Sequence, residues 1–234
     1  MRKQQRIWQK EHDEGKLIPS EMLKSSTDQP SSYIVKFTKF LVQQKFPLTG
    51  RAVDMGAGKG RNTIYLAKQG LSVYALDYIE SAIEHIKATS KKEKLDKRIH
   101  AVCTPIDEPW PFADNYFDIV IDCFSSIDIE TLDGRIACRN EMFRTLKQGG
   151  FALIVVVSAE DEFESELIKK YPGIEKNSSV WPGTGKFQKD YDEKELKDFY
   201  SSFKVVTLEK LQKVAHKMGK DFTATNYWMV LRKK

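Results

Sequence analysis

The stretch Val53-Asp54-Met55-Gly56-Ala57-Gly58-Lys59-Gly60-Arg61-Asn62 reads as the end of a buried strand, a turn carrying three glycines, and the start of a helix. Ala52 and Val53 close the apolar strand, Ile64 and Ala67 recur at helical spacing, and Gly70 ends the helix. Glycines at alternate positions let the backbone turn sharply and let a ligand come close, because no Cβ stands in the way. The first N–H groups of the new helix face whatever lies on the loop. Two kinds of ligand use such a turn. Dinucleotides use Gly-x-Gly-x-x-Gly and seat a pyrophosphate on the helix N-terminus. Here the spacing is Gly56-x-Gly58-x-Gly60, with Asp54 two residues before the first glycine. A carboxylate there repels a pyrophosphate and suits a ligand that presents an ammonium group. The bland alternative is an unoccupied strand–turn–helix in some other α/β protein, which a glycine-rich turn alone does not exclude.

After Gly70, residues 71–76 read as a second strand ending at Asp77. An acid about 20 residues beyond a glycine turn is where a doubly wound fold places its ribose-binding carboxylate. Asp77 can accept both ribose hydroxyls, in bonds of roughly 1.5–3 kcal/mol each. The alternative is an acid that merely faces the dipole of the next helix. Strand, position and residue type together favour the ribose.

An acid followed by Gly-x-Gly-x-Gly resembles the first motif of the class I S-adenosylmethionine-dependent methyltransferases. A second stretch is similar to that family: Asp107, the Pro111-Phe112 pair, a short acidic turn through Asp114, then Phe117-Asp118-Ile119-Val120 opening a fourth strand. A third is Leu146-Lys147-Gln148-Gly149-Gly150 before a fifth strand, where the family usually has proline at the place of Gln148. The resemblance implies S-adenosylmethionine as cofactor and S-adenosylhomocysteine as product. Its binding residues would be Asp54, Gly56, Ala57, Gly58, Gly60, Asn62, Asp77 and Tyr78, with the adenine against Ile106 or Asp107. The methionine portion would border the end of the fourth strand, at Cys123. The implied fold is a Rossmann-like, seven-stranded, mostly parallel α/β sheet with helices on both faces, an antiparallel last strand and a helical N-terminal addition.

The acceptor is less legible. Asp122-Cys123-Phe124-Ser125 stands where amino-group methylases of adenine and glutamine carry Asn/Asp-Pro-Pro-Tyr/Phe, and no Pro-Cys pair occurs, as a cytosine-C5 enzyme would need. Methyl transfer to an oxygen, nitrogen or sulfur of a small molecule is the first reading. An RNA-modifying enzyme and a non-catalytic cofactor-binding module are the alternatives. Where the acceptor is protonated a base is needed; His12, Tyr33 and His216 are the candidates, although a lone histidine is more often structural.

These residues need elements to position them. A helix begins at Pro30-Ser31-Ser32 with serine as N-cap and turns Ile34, Phe37 and Leu41 to one face. Ile79, Ala82, Ile83 and Ile86 form the inner face of the helix after Asp77. Residues 99–103 form a third strand. Leu132, Ile136, Phe143 and Leu146 share a helix face, and residues 151–157 are the fifth strand. A helix over 192–201 follows, with Leu196, Phe199 and Tyr200 inward. Strands at 203–208 and 227–232 are joined by residues 209–226. The organisation is one domain: residues 1–47 a helical addition, 50–157 the cofactor-binding core, 158–190 a substrate-side insertion and 191–234 the closing helix and strands. Residues 1–30 and 158–190 are polar and carry Trp8, Tyr171 and Trp181, which suits a lid and an acceptor pocket.

A length of 234 residues with 41% hydrophobic content suits one α/β domain with a real core. Cys103, Cys123 and Cys138 lack metal-ligand spacing and fit free thiols in a reducing cytosol, and no metal is expected. The N-terminus shows no apolar signal region, and the apolar run 151–157 is too short to span a bilayer. The net charge of +5 is uneven. From residue 204 onward eight Lys/Arg face only Glu209 and Asp221, which fits the solvated face of an edge hairpin better than a nucleic-acid surface.

Overall fold

A computed structural model describes residues 2–14 and 29–233. Residues 1 and 15–28 of the segment expected to form a lid, and residue 234, lie outside them. The chain begins with helix α1 (Lys3–Glu14) and helix α2 (Ser32–Gln43). Strand β1 (Arg51–Met55) leads into α3 (Arg61–Lys68), and β2 (Ser72–Asp77) into α4 (Glu80–Lys92). Then come β3 (Ile99–Cys103), β4 (Phe117–Cys123), a 3-10 turn (Ser126–Asp128), α5 (Leu132–Thr145) and β5 (Leu146–Val157). An insertion holds α6 (Glu162–Lys170), β6 (Ser178–Val180) and β7 (Phe187–Lys189). Helix α7 (Glu193–Phe199) and strands β8 (Lys204–Lys217) and β9 (Lys220–Arg232) complete the chain.

The main sheet has seven strands in the order β3-β2-β1-β4-β5-β9-β8. Strands β1 to β5 pair in parallel, and β9 runs antiparallel to both β5 and β8. Parallel strands covered on both faces read as continuous apolar runs, and β5 is buried without interruption from Gly150 to Val156. Its side chains alternate between two cores. Ala152, Ile154 and Val156 join Cys138 and Met142 of α5 and Leu196 of α7. Phe151, Leu153 and Val155 join Ile34, Phe37 and Leu41 of α2, Leu66 of α3 and Ile83 of α4.

Three expectations need correction. Helix α5 buries Arg135, Cys138, Met142 and Thr145, while Leu132 is exposed and Leu146 already belongs to β5. The burial of Arg135 turns the helix: its guanidinium donates to the Ile129 carbonyl at 2.7 Å and pairs with Glu175. Residues 209–226, read as a connection, are the outer half of a long β8–β9 hairpin. Ser31 stands at the α2 N-cap but makes no side-chain cap; its backbone N–H donates to Asn62 Oδ1 at 2.9 Å. The basic hairpin spends charge on neighbours, with Lys210 on Glu160 and Lys217 on Glu164. No helix among the described residues is long and apolar enough to cross a membrane, and no cluster of His, Cys, Asp and Glu among them suits a metal.

Gly60 caps α3 at φ 81°, and a Cβ there would lie 2.7 Å from Ile86 Cγ1 on α4. Gly60→Ala is therefore expected to cost about 2–5 kcal/mol, the sum of left-handed backbone strain and overpacking. Denaturant unfolding checks this, with a lowered midpoint at unchanged slope.

Candidate active site

The three glycines of the turn do different work. All have positive φ, at 57°, 54° and 81° for Gly56, Gly58 and Gly60. A Cβ on Gly56 would meet Ser125 Oγ at 2.6 Å and one on Gly60 would meet Ile86, but one on Gly58 meets nothing within 4 Å. Gly56 and Gly60 serve packing; Gly58 alone faces open space. The Ala57 N–H donates to the Leu76 carbonyl and the Gly58 N–H to Asp77 Oδ2, at 2.9 and 2.8 Å, so the turn is hung on the end of β2. Asp77 Oδ1 accepts the Ile79 N–H at 2.9 Å.

Asp54 is buried beneath the turn, where the Thr63 hydroxyl donates to it at 2.6 Å. Burial raises its pKa to about 6. Burial likewise raises Asp77, opposed by the N–H groups of Ile79 and Gly58. At the end of β4, Asp122 Oδ1 accepts the N–H groups of Ser125 and Ser126, and the Ser125 hydroxyl donates to the Met55 carbonyl at 2.6 Å. Between them Phe124 is held at φ 66°, an uncommon conformation for a bulky side chain and one that collects at functional sites.

Helix α1 lies across the loops that leave the sheet. Arg2 pairs with Asp107 and Glu108 after β3. Gln5 donates to the Tyr78 carbonyl at 3.0 Å, and Gln9 to the Ser81 hydroxyl at 3.0 Å, both after β2. Gln4 donates to the Gly185 carbonyl and accepts the Phe187 N–H, each at 3.1 Å, in the insertion. Trp8 faces the Lys186 ammonium at 5.0 Å, and Trp181 faces the same ammonium at 4.9 Å. Lys186 is also 3.3 Å from Asp128.

Asp54, the glycine turn and Asp77 thus meet at the ends of β1 and β2, and α1 reaches the adjoining Tyr78 and Asp107. His12 joins them: its Nδ1 lies 3.0 Å from the Ser81 hydroxyl, and its buried Nε2 has no partner among the described residues. Burial, with Lys59 nearby, lowers the His12 pKa. Burial beside Asp128, Asp77 and Asp107 raises the Tyr78 phenol. Ile106 is buried, its carbonyl accepting the Trp110 indole N–H at 3.1 Å. Asn62 and Cys123 lie on the α2 side, where Asn62 holds Ser31 and burial pushes the Cys123 thiol up to about 12. Tyr33 packs edge-on against Phe124 at 5.6 Å, and its hydroxyl accepts from Asn226 at 2.9 Å. Burial raises its pKa, so at neutral pH the phenol has a proton to donate. His216 sits apart, exposed near the tip of the β8–β9 hairpin and 2.9 Å from Asp221. Sequence reading placed Phe124 at the end of the fourth strand without its left-handed backbone, and named no role for Asp128, Glu164, Lys186 or Asp190.

Residues 52–150 match the family described as Methyltransferase domain. Among solved structures, one of SAM-dependent methyltransferases from Methanosarcina mazei is similar at 18% identity over 82% of this chain and 96% of that one, with a TM-score of 0.71. The Burkholderia thailandensis 1,6-didemethyltoxoflavin-N1-methyltransferase, with 1,6-didemethyltoxoflavin and S-adenosylhomocysteine bound, is similar at 16% identity over 98% and 87%, with a TM-score of 0.68. TehB from Haemophilus influenzae is similar at 21% identity over 86% and 61%, with a TM-score of 0.61. No curated protein matches the chain. The domain match covers the segment bearing the glycine turn and Asp77, and the solved structures share the fold of the whole sheet.

Proposed function

We propose that the protein transfers a methyl group from S-adenosylmethionine to an oxygen, nitrogen or sulfur nucleophile of a small molecule, seated between α1, the insertion at 158–190 and the end of β4. The observation that carries this reading is the span of α1, which ties the loops after β2 and β3 to the insertion on the side where Gly58 faces open space. A helix laid over a site in this way suits a small acceptor and excludes water. The Burkholderia relative holds a small molecule, 1,6-didemethyltoxoflavin. Residues 1–14 act as the lid and 158–190 as the acceptor side of a single domain.

S-adenosylmethionine supplies a methyl group already activated on sulfonium. The chain's part is to hold donor and acceptor in line. The missing Cβ of Gly58 leaves the cofactor room against the turn. Asp77 presents a carboxylate already oriented by two N–H groups, with lone pairs remaining for the ribose hydroxyls. Asp54 offers the buried negative charge that an ammonium end needs.

Asp77→Ala is expected to weaken S-adenosylmethionine about tenfold or more through lost charge-assisted bonds, and Gly58→Val to abolish binding. Calorimetry decides; wild-type affinity in Asp77→Ala would remove the assignment. Affinity also has a pH direction. The ionised form of Asp54 binds the cation, and its pKa in the free protein is about 6. Affinity is therefore expected to fall as the pH drops through about 6 and to level off above it, with Asp77 acting in the same direction. Asp54→Asn should bind weakly with a shallower profile.

Trp8→Ala removes a ring from the Lys186 ammonium, an interaction of about 0.5–2 kcal/mol. The expected result is faster amide exchange across residues 3–14 and a turnover lowered about two- to thirtyfold, with little change in global stability. Unchanged exchange and turnover would show that α1 is a docked ornament rather than a lid.

A further inference from the structure

One face of the β6–β7 ribbon offers more hydrogen-bonding capacity than the protein uses. Lys186, Gln188 and Asp190 alternate along the β7 stretch and share that face. The Lys186 ammonium donates to Gln188 Oε1 at 3.3 Å, and Gln188 Nε2 donates to Asp190 Oδ1 at 2.8 Å. Ser179 pairs directly with Gln188 across the ribbon, so its hydroxyl lies on the same side. Asp128 and the Trp8 ring of α1 meet this face at Lys186, while Glu164 of α6 is held by Lys217 at 3.2 Å. On the opposite face Lys189 pairs with Glu195, and Phe187 lies under Arg135.

Three buried acceptors, Asp190 Oδ2, Glu164 Oε2 and Ser179 Oγ, have no hydrogen-bond partner among the described residues. Asp190 and Ser179 are 0% exposed and Glu164 is 3% exposed. Buried polar atoms are nearly always partnered, so unsatisfied ones gathered on one face ask for a missing partner. The charge asks for the same thing. Asp128, Glu164 and Asp190 set three carboxylates against the two ammonium groups of Lys186 and Lys217. Asp161, the remaining neighbour, already accepts the Glu164 and Thr225 N–H groups. Burial raises the pKa of Asp128, Glu164 and Asp190 alike, opposed by Lys186 and, at Glu164, by Lys217. Trp8, Trp181 and Phe163 wall the region, with Phe163 6.1 Å from Trp181, and aromatic faces favour a cation.

We propose that this face is the acceptor subsite and that the acceptor is a primary or secondary amine carried on an apolar body. The N–H groups of the amine are received by Asp190, Glu164 and Ser179, and its apolar body lies against the tryptophans. This deepens the methyl-transfer reading and rests on it. The amine arrives as its ammonium ion and gives one proton to the Asp190 carboxylate that receives it. The freed nitrogen lone pair forms the bond to the methyl carbon while the carbon–sulfur bond breaks, its electron pair going to sulfur, which becomes a neutral thioether. The methylated ammonium departs, and Asp190 returns its proton to water.

The test is calorimetric titration of the full chain saturated with S-adenosylhomocysteine, using benzylamine, N-methylbenzylamine and tryptamine against benzyl alcohol and benzoate. At least one amine is expected to bind about tenfold or more tightly than the neutral and anionic compounds, the worth of one or two charge-assisted bonds. Asp190→Asn and Glu164→Gln should each remove most of that preference while leaving S-adenosylhomocysteine affinity within about twofold, which also shows that the variants are folded. Equal binding of alcohol and amine, failure of every amine on a complex that holds S-adenosylhomocysteine, or an unchanged preference in both variants overturns the amine subsite and leaves methyl transfer standing. Failure of the wild-type chain to bind S-adenosylhomocysteine overturns the methyl-transfer reading beneath it.

Discussion

Two backbone N–H groups converge on the Asp77 carboxylate, one from Gly58 in the turn after β1 and one from Ile79 at the start of α4. That convergence joins three elements. The glycine turn cannot drift from β2 without leaving a buried carboxylate short of donors, a costly state. Strands β1 and β2 are in register beneath it, Met55 beside Leu76. The opening in front of Gly58 therefore has a fixed floor, and every other feature of the site is arranged relative to it.

The roof is built differently. Helix α1 has little apolar surface of its own; it buries Gln4 and Glu11 rather than a hydrophobic stripe. Its attachment relies on amides, an arginine and a tryptophan reaching separate loops. Contacts of this kind are individually modest and readily exchanged for water, as is typical of elements that open and close. The floor is held by buried hydrogen bonds and strand register, the roof by dispersed polar contacts. That contrast is what a site needs if it must admit a substrate and then exclude solvent.

The insertion after β5 joins the two. A bridge between Ser158 and Tyr191 returns the chain to the sheet, so the β6–β7 ribbon is anchored at both ends near the carboxyl ends of the parallel strands. Its buried charges lie close to the 3-10 turn that follows β4. Position and chemistry therefore coincide in a part of the chain that the common fold does not require.

Much of the architecture was legible in the sequence because parallel strands covered on both faces must be continuously apolar. Residues 71–77, 99–103, 117–123 and 151–157 could each be read as strands, and the glycine spacing with Asp77 pointed to the turn that the fold hangs on the end of β2. Where reading failed, a long-range contact had decided the matter. The inner face of α5 was read from Leu132, Ile136, Phe143 and Leu146, but Ile129 and Glu175 give the Arg135 guanidinium buried partners and turn the helix. Residues 209–226 looked like a connection because their polar side chains suit the exposed half of a hairpin, whose backbone pairing leaves no apolar signature. The acceptor side was the least legible. Asp128, Glu164 and the Lys186-to-Asp190 stretch stand far apart in the chain, and none of their charges is distinctive in its local sequence. Local pattern reports which face of an element is apolar; it carries no record of which distant charges will be buried together, and only the folded chain determines that.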